Sequence, residues 1–483
     1  MLWVALELPA LPLQVAERAG VARDALVIAE GSAQRPTVAC ANATARQAGI
    51  REGQAVAAAK ALAGELRILD RDPQAERETL ERLAGWAGQF TPMVSVEGNG
   101  IVFEVEATLR LFHGHAQLTS AILRGIRELG YRSALGVAPT PLAARIIARA
   151  ETHGLQVRSC LKLQDLRARL AELPLFLFDW PQGTLTRLTD LGVVRLKDIL
   201  ELPHEGLARR FGPEIVLSLD RLLGRVADPR VPYSPPHAFR ARVELPAEAE
   251  SVEALLFPLR RLLAELEGYA RGRGAGVQRL ALTLEHGRKA RTRLDLEFAS
   301  PERESDFILA IAREKLDRLK LCAPTIALSL RADALLPYVP RNAAWLPGAQ
   351  EQAVERERLV ERLAARIGRD RVFGIALGND HRPERDWKSA RGASGSDPGS
   401  RRCGRRPVWL LQRPQRLIID AGHPSLQGTL DLVAGPERIE AGWWDGEEVS
   451  RDYYVAANPH GETYWIYREH RDPRAWYVHG VFS

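Results

Sequence analysis

Residues 91–114 read TPMVSVEGNGIVFEVEATLRLFHG. Two strand-forming runs flank Gly98-Asn99-Gly100, the residue chemistry of a tight hairpin turn. In the second run Ile101, Phe103 and Val105 alternate with Val102 and Glu104, so one face of the strand is wholly apolar. The surroundings are helical. Leu80, Leu83, Trp86 and Ala87 recur at helical spacing within 73–90, and a second helix is predicted over 115–130. A strand from Ser133 to Val137 then leads through Ala138-Pro139-Thr140-Pro141 into the helical run LAARIIARAE. Strands and helices mixed in this way predict an α+β fold.

The chain has 483 residues, enough for three to four domains at roughly 150 residues each. With 46% hydrophobic and 27% charged residues it reads as an ordinary soluble globular protein. A net charge of +6 weakly favours nucleic acid over acidic small molecules. Cys40, Cys160, Cys322 and Cys403 lie far apart without a CxxC, which argues against a disulfide framework or a zinc ribbon and for a reducing compartment. MLWVALELPALPL has no basic leader and is broken by Glu7 and prolines, and no later apolar run approaches the ~18 residues of a membrane helix. A cytoplasmic location is expected.

On the N-terminal side, LWVALEL (2–8) reads as a buried strand, DALVIAE and PTVACAN as two short strands, and Gly49 to Gly53 as a loop between alanine-rich helices. On the C-terminal side, residues 170–235 turn to short helices. There LTDLGVVRLKDILELP carries helix, Leu191-Gly192-Val193, helix. Such a helix-hairpin-helix can offer turn N–H groups to a DNA phosphate, although ordinary helical hairpins share the pattern. PYSPP (232–236) reads as an extended linker. Beyond it the order β-α-β-β-α-β is predicted, with helices over 251–272 and 302–320. Within it Arg291, Arg293 and Asp295 share one strand face, while Leu294, Leu296 and Phe298 share the other. The basic face suits a phosphate backbone, or is simply solvated. Residues 336–407 contain the helical run EQAVERERLVERLAARIG and a Gly/Ser/Arg run, SARGASGSDPGSRRCGRR, that reads as a flexible tether. From Val408 onward, strand patterns rich in Trp and Tyr predict a small β-rich module.

Up to residue 335 the order of motifs resembles the Y-family (DinB/UmuC-like) translesion DNA polymerases. Asn42-Ala43-Thr44-Ala45-Arg46 with Gly49-Ile50 and Gly53-Gln54 is similar to the family's finger motif. Gly136-Val137-Ala138-Pro139-Thr140 with Ala144-Arg145 is similar to the motif that opens a palm helix. The resemblance implies a palm over 1–18 and 74–165, fingers over 19–73, a thumb with helix-hairpin-helix over 166–235 and a little finger over 236–335. A linker over 336–407 and the β-rich module over 408–483 complete the chain. That second part resembles the ImuB branch of the family, the non-catalytic polymerase-like proteins of the bacterial mutasome. The similarity rests on His381-Arg382-Pro383-Glu384-Arg385, Pro407-Val408-Trp409-Leu410-Leu411, Gly435-Pro436-Glu437-Arg438-Ile439, Gly442-Trp443-Trp444-Asp445-Gly446 and Arg451-Asp452-Tyr453-Tyr454.

Polymerases of this family hold two Mg²⁺ ions, ~3.5–4 Å from each other, on carboxylates. Carried onto this chain, the first acid falls at Ala5. The hairpin pair falls at Asn99 and Gly100 when Glu104-Val105 is the anchor, or at Glu97 and Gly98 when Ser95-Val96 is. Mg²⁺ takes hard oxygen ligands, so these replacements predict a pseudo-polymerase with no metal and no cofactor. The opposing expectation is a site rebuilt from Glu7, Glu97 or Glu104. Of the family's triphosphate contacts, Arg46 and Arg145 are retained as cations while Ala43 and Pro141 replace others; Arg46 and Arg145 are read as residual nucleotide contacts or as surface and ion-pair residues.

The resemblance also implies partners: DNA (damaged or primer–template), the bacterial β sliding clamp, RecA-like ImuA and the alpha subunit of an error-prone C-family DNA polymerase. Where a clamp-binding peptide is expected the chain has Asn342, Trp345 and Leu346 without the usual Gln. Leu173 to Phe178 is superficially clamp-like but reads as core. Trp443, Trp444, Tyr453 and Tyr454 are the candidates for partner contact, although aromatics of a small β domain also build its core or stack on single-stranded bases.

Overall fold

The computed structural model describes residues 1–18, 24–32, 34–287, 290–321, 323–339, 349–378, 380–390, 406–470 and 475–482. They form two compact units, Met1–Arg366 and Ile367–Ser483. No helix among the described residues is long and apolar enough to cross a membrane.

The first unit opens with β1 (Trp3–Glu7), α1 (Leu11–Glu17), β2 (Ala25–Ser32), β3 (Arg35–Ala41), α2 (Ala43–Gln47), α3 (Val56–Leu62) and β4 (Leu66–Asp70). Next come α4 (Pro73–Ala87), β5 (Val94–Glu97), β6 (Gly100–Glu104), α5 (His115–Glu128), β7 (Ala134–Ala138) and α6 (Pro141–Thr152). The predicted hairpin is β5–β6, closed by Gly98-Asn99, with Gly98 at φ 56 where a side chain would be strained. It joins the antiparallel sheet β5-β6-β1-β7. The alternation read from the sequence holds: Ile101, Phe103 and Val105 pack with Leu80, Leu83, Trp86 and Ile122 of α4 and α5. Val102 turns the other way, with Ala5, onto α6. The second sheet is β3-β2-β4, in which β4 runs parallel to β2. The sequence reading lacked β4 because LRILD shows no period-2 pattern.

The helical segment comprises α7 (Leu166–Leu170), α8 (Gln182–Asp190), α9 (Leu196–Leu200), α10 (His204–Phe211) and α11 (Pro213–Leu222). It shares its core with the sheet face under α6. After the linker follow β8 (Phe239–Ala249), α12 (Val252–Arg271), β9 (Ala275–His286), β10 (Arg291–Glu302), α13 (Ser305–Leu316), β11 (Thr325–Ala332) and β12 (Leu335–Pro337). This is the predicted β-α-β-β-α-β order, assembled as β10-β9-β11-β8 with β12 on β9. The helix expected in the linker, α14 (Ala349–Ile367), is instead part of this layer. Ala365 lies in the core of the same sheet, and Arg358 pairs with Glu302 at 3.0 Å and Glu304 at 2.7 Å.

The second unit has a short hairpin, β13 (Gly374–Leu377) and β14 (Trp387–Ala390), that the sequence reading placed in the linker. Its main body is β15 (Trp409–Arg416), β18 (Asp431–Ala441), β19 (Val449–Ala457), β20 (Thr463–Glu469) and β21 (Trp476–Val481), ordered β15-β21-β20-β19-β18, with β16 (Ile418–Asp420) and β17 (His423–Ser425) paired beside it. The predicted β-rich module is therefore present. The Gly/Ser/Arg run lies almost entirely outside the described residues.

Candidate functional site

The strand register decides which side chains meet at the end of the hairpin. Glu7 pairs with Gly100, and Gly100 with Glu97, so the two glutamates stand on one sheet face with a glycine between them. Two strand spacings put their Cα atoms about 10 Å apart. Ala5 lies two residues deeper on that face, fully buried against Ala143, Ala144 and Ala148 of α6. An acid at position 5 would be packed into helix. The residue of β1 that reaches the rim is Glu7. Gly100 is equally committed, since a Cβ there would overlap the Leu6 carbonyl oxygen and stand 3.0 Å from its carbonyl carbon and 3.1 Å from Cα of Glu7. Asn99 is exposed on the turn, and its carbonyl accepts from the Leu8 amide at 3.0 Å.

α6 runs over this face with Arg145 and Arg149 four residues apart, on the same side. Arg145 donates to Glu97 at 2.9 Å and to Asp179 at 3.0 Å. Arg149 pairs with Glu7 at 3.4 Å, donates to the Leu177 carbonyl at 3.1 Å, and also holds Asp179. Arg230 donates to Glu97 at 2.8 Å and pairs with Asp228. Every side chain of this lattice is largely buried except Asp179, which is 62% exposed. Burial raises the Glu7 carboxyl above its usual range, and Arg149 and Arg145 only partly oppose that. Burial also acts to raise Asp179, but its bonds to Arg149 and Arg145 prevail and hold it below the ordinary range. Sequence reasoning had Arg145 in hand as an ion-pair residue. It missed Arg149, Asp179 and Arg230.

The family's metal chemistry can be tested against these donors. Mg²⁺ needs free carboxylate oxygens in near-octahedral array. Both glutamates that face the rim already take guanidinium donors, and among the described residues no group of three or more His, Cys, Asp or Glu side chains is arranged to hold a metal ion. The residues present do not fit the pair of ions. Glu104, the third acid considered, instead accepts from the Glu106 amide at 2.9 Å. Arg46 is exposed on α2, with no ion-pair partner among the described residues.

The helix-hairpin-helix forms as read, with Gly192 at φ 78 between α8 and α9. Its amides are spent internally. Leu191 donates to Leu188, Gly192 to Thr189 and Val193 to Leu188, all within 3.1 Å, while Val194 and Arg195 donate to the Asp198 carboxylate at 3.2 and 2.9 Å. Arg195 and Lys197 both pair with Glu172. The turn thus offers a bare backbone surface at Gly192 rather than free N–H groups.

On the other DNA candidate, Arg291, Arg293 and Asp295 face solvent while Leu296 and Phe298 are buried, as the alternation predicted. By register that face runs from Arg291 through Glu285 and Ala327 to Glu244, from Arg293 through Thr283 and Ser329 to Arg242, and from Asp295 through Ala281 and Arg331 to Arg240. Arg293 is paired with Asp295 and Arg242 with Glu285 and Glu244. Arg240, Arg279 and Arg291 have no ion-pair partner among the described residues.

Asn342, Trp345 and Leu346 lie outside the described residues. In the second unit Trp443 and Trp444 are exposed, at 77% and 54%, as partner contacts require. Tyr453 is a correction. It is completely buried, stacked on Trp465, with its hydroxyl 2.8 Å from Nδ1 of His479. Position on the inward face of β19 overrides the exposure expected of a hot-spot tyrosine. Tyr454, on the opposite face, is half-buried against Trp476. Arg382 is also buried, held by Asp380 and Asp445 at 2.6 Å and by the Glu447 carbonyl at 3.1 Å. It therefore fixes the Gly442–Gly446 turn from beneath and presents the two tryptophans.

A model of the impB/mucB/samB family matches residues 11–149. Protein ImuB of Caulobacter vibrioides strain NA1000 / CB15N is 29% identical over 468 residues, spanning 90% of this chain and 100% of that protein. The ImuB of strain ATCC 19089 / CIP 103742 / CB 15 aligns with the same figures. Among solved structures, DinB from Sulfolobus solfataricus is 17% identical and covers 69% of this chain and 98% of its own, with a TM-score of 0.40. An insertion ternary complex of Dbh DNA polymerase is 17% identical, covering 70% and 100%, with a TM-score of 0.41. By the similarity that runs through both units and the family match over the N-terminal sheets, the chain is an ImuB-like, Y-family polymerase-like protein.

Proposed function

We propose that this chain is a catalytically inactive polymerase homologue that binds damaged or primer–template DNA and acts as an adaptor, recruiting an error-prone C-family polymerase for translesion synthesis and SOS mutagenesis. The observation that carries the reading is the arginine lattice of the palm rim. Two-metal transfer needs bridging carboxylates with free oxygens. Glu7 and Glu97 instead neutralise Arg149, Arg145 and Arg230. Guanidinium groups supply charge but neither a Lewis acid nor an activated nucleophile.

DNA binding is supported by Arg240, Arg279 and Arg291, which have no ion pair within 4 Å among the described residues, with Arg293 beside Arg291 on the same face. The closed amides at Leu191, Gly192 and Val193 leave that turn a lesser role as a close-approach surface. The β sliding clamp, RecA-like ImuA and the C-family alpha subunit are proposed partners from the likeness to ImuB. Clamp contact is assigned to 342–346, because Leu173 and Leu175 of the other clamp-like stretch are buried. Trp443 and Trp444 are assigned to a protein partner.

Primer extension with Mg²⁺ or Mn²⁺, alongside DNA binding titrated with salt, tests the reading. Salt-sensitive binding without incorporation is expected. The second reading, a divergent active polymerase with a rebuilt site, is favoured by Glu7 and Glu97 sharing one face. Metal-dependent incorporation abolished by Glu7→Ala would establish it.

A further inference from the structure

The rim lattice reaches beyond the sheet to two points of the helical segment. Asp179 lies in the connection between α7 and α8, and Asp228 and Arg230 follow α11, where the chain leaves the helices. Arg145 and Arg149 clasp the α7–α8 connection through Asp179, and Glu97 clasps the exit through Arg230. Thr140, at the start of α6, adds a buried bond from its hydroxyl to the Leu222 carbonyl at 2.9 Å.

The linker is fastened in the same place. Ser95 of β5 donates its hydroxyl to the Val231 carbonyl at 2.8 Å, and the Tyr233 amide donates to the Val94 carbonyl at 2.6 Å. The edge strand of the sheet therefore has the linker laid along it. Further on, Tyr269 of α12 donates to the Pro236 carbonyl and Arg273 to that of Pro235.

α12 then seats on α4 with almost no gap. A Cβ on Gly85 would stand 2.9 Å from the Tyr269 ring, and one on Gly272 would stand 2.7 Å from the carbonyl carbon of Gly88. Glu265 of α12, 2% exposed, is gripped by Arg18 and by Arg82 at 3.1 Å. Met1 to Arg366 is accordingly one compact unit.

We propose that the palm rim is a lock: its arginine–carboxylate lattice fixes the helical segment and the linker to the sheet before any DNA is present, so that thumb and little finger form one preset cradle rather than separately moving arms. The lock does not rest on loss of polymerase activity, because a chain that extended primers could carry the same joint. Glu7 and Glu97 are, in this role, positioning residues for arginines. Glu97 is the pivot, since its carboxylate takes both Arg145 of α6 and Arg230 at the exit of the helical segment.

Hydrogen exchange measured by mass spectrometry on the full, DNA-free chain, with tryptic cleavage after Arg230 as a second readout, tests this. In the unaltered chain the Tyr233 amide, which donates to the Val94 carbonyl, should exchange at least ten-fold more slowly than in an open linker. Glu97→Gln should raise exchange there and cleavage after Arg230 at least ten-fold. Protection in β1, α8–α11 and the second unit should not change. Arg242→Gln, which removes an ion pair elsewhere, should leave the linker protected. Should Glu97→Gln unfold the whole unit, Asp179→Asn, at an exposed position, should loosen 173–180 alone. An unprotected linker in the unaltered chain overturns the proposal, as does undiminished protection in both rim variants.

Discussion

Replacing Gly100 by alanine tests how tightly the hairpin is committed to its strand. The added Cβ would sit 3.0 Å from the Leu6 carbonyl carbon and 3.1 Å from Cα of Glu7. The nearest atom is the Leu6 carbonyl oxygen, which the Cβ would overlap, so β1 must retreat from β6 by more than about an ångström to restore ordinary contact. Both strands are buried on both faces, and neither has room to move cheaply. Overpacking of this kind costs about 1–3 kcal/mol. Stretching the Leu8 amide to Asn99 carbonyl bond, 3.0 Å long, adds about 1 kcal/mol. The expected loss is therefore about 3 kcal/mol. It is read as a lower urea midpoint for the first unit, followed by near-UV circular dichroism of the full chain. Gly100→Asp should lose at least as much and gain no primer extension. A loss below about 1 kcal/mol for Gly100→Ala would refute the packing argument. Gly98→Ala is the comparison: the φ of 56 strains it and the added Cβ would meet the side-chain tips of Arg145 at 3.1 Å and Arg149 at 3.4 Å rather than backbone, so about 1 kcal/mol is expected.

Other outcomes follow from the site geometry. Burial pushes His479 down to about 4 from its ordinary 6.5, so the folded second unit binds fewer protons than the unfolded chain between those values. Its stability should be full above about pH 6.5 and fall as pH drops through about 4 in fluorescence-monitored unfolding; a flat profile, or the same acid slope in His479→Gln, contradicts this. Trp443→Ser should change stability by less than about 0.5 kcal/mol, whereas Trp465→Ala, at 2% exposure, should cost at least about 3 kcal/mol, and equal effects in urea titration would disprove the inside–outside assignment. Arg240→Ala and Arg291→Ala should each lower the slope of log affinity against log salt by about 1 for duplex DNA, while Lys197→Ala, already paired with Glu172, should leave it unchanged.

The hairpin and the β-α-β-β-α-β layer were legible because period-2 alternation is a local signal. Ile101, Phe103 and Val105 announce their face without help from the rest of the chain. β4 and the β13–β14 hairpin were not, since LRILD and GIAL lack that alternation. The rim was largely hidden for a different reason: Arg145 and Glu97 are 48 residues apart, Arg230 and Glu97 133, and Arg149 and Glu7 142. Ion pairs across such distances leave no pattern in sequence. One clue existed, two arginines four apart on an otherwise alanine- and isoleucine-rich helix. Assigning an acid's place to Ala5 relied on spacing from Pro9, which says nothing of what lies on top of the strand. Among the aromatics, Trp443 and Trp444 sit in a glycine-bounded turn and Tyr453 in an alternating strand, a distinction that aromatic content conceals.

α14 changes where the first unit can be divided. Residues 236–335 look complete as a sequence pattern, yet Glu302, 1% exposed, takes Arg358 as an ion-pair partner, and the Ala299 amide is capped by Glu361. A fragment stopped at residue 335 would keep every strand and still lose the Arg358 pair to a buried carboxylate, the Glu361 cap on the Ala299 amide and the cover that Ala365 gives the core. Such a fragment should be the one that precipitates, while one carried on through residue 367 stays in solution.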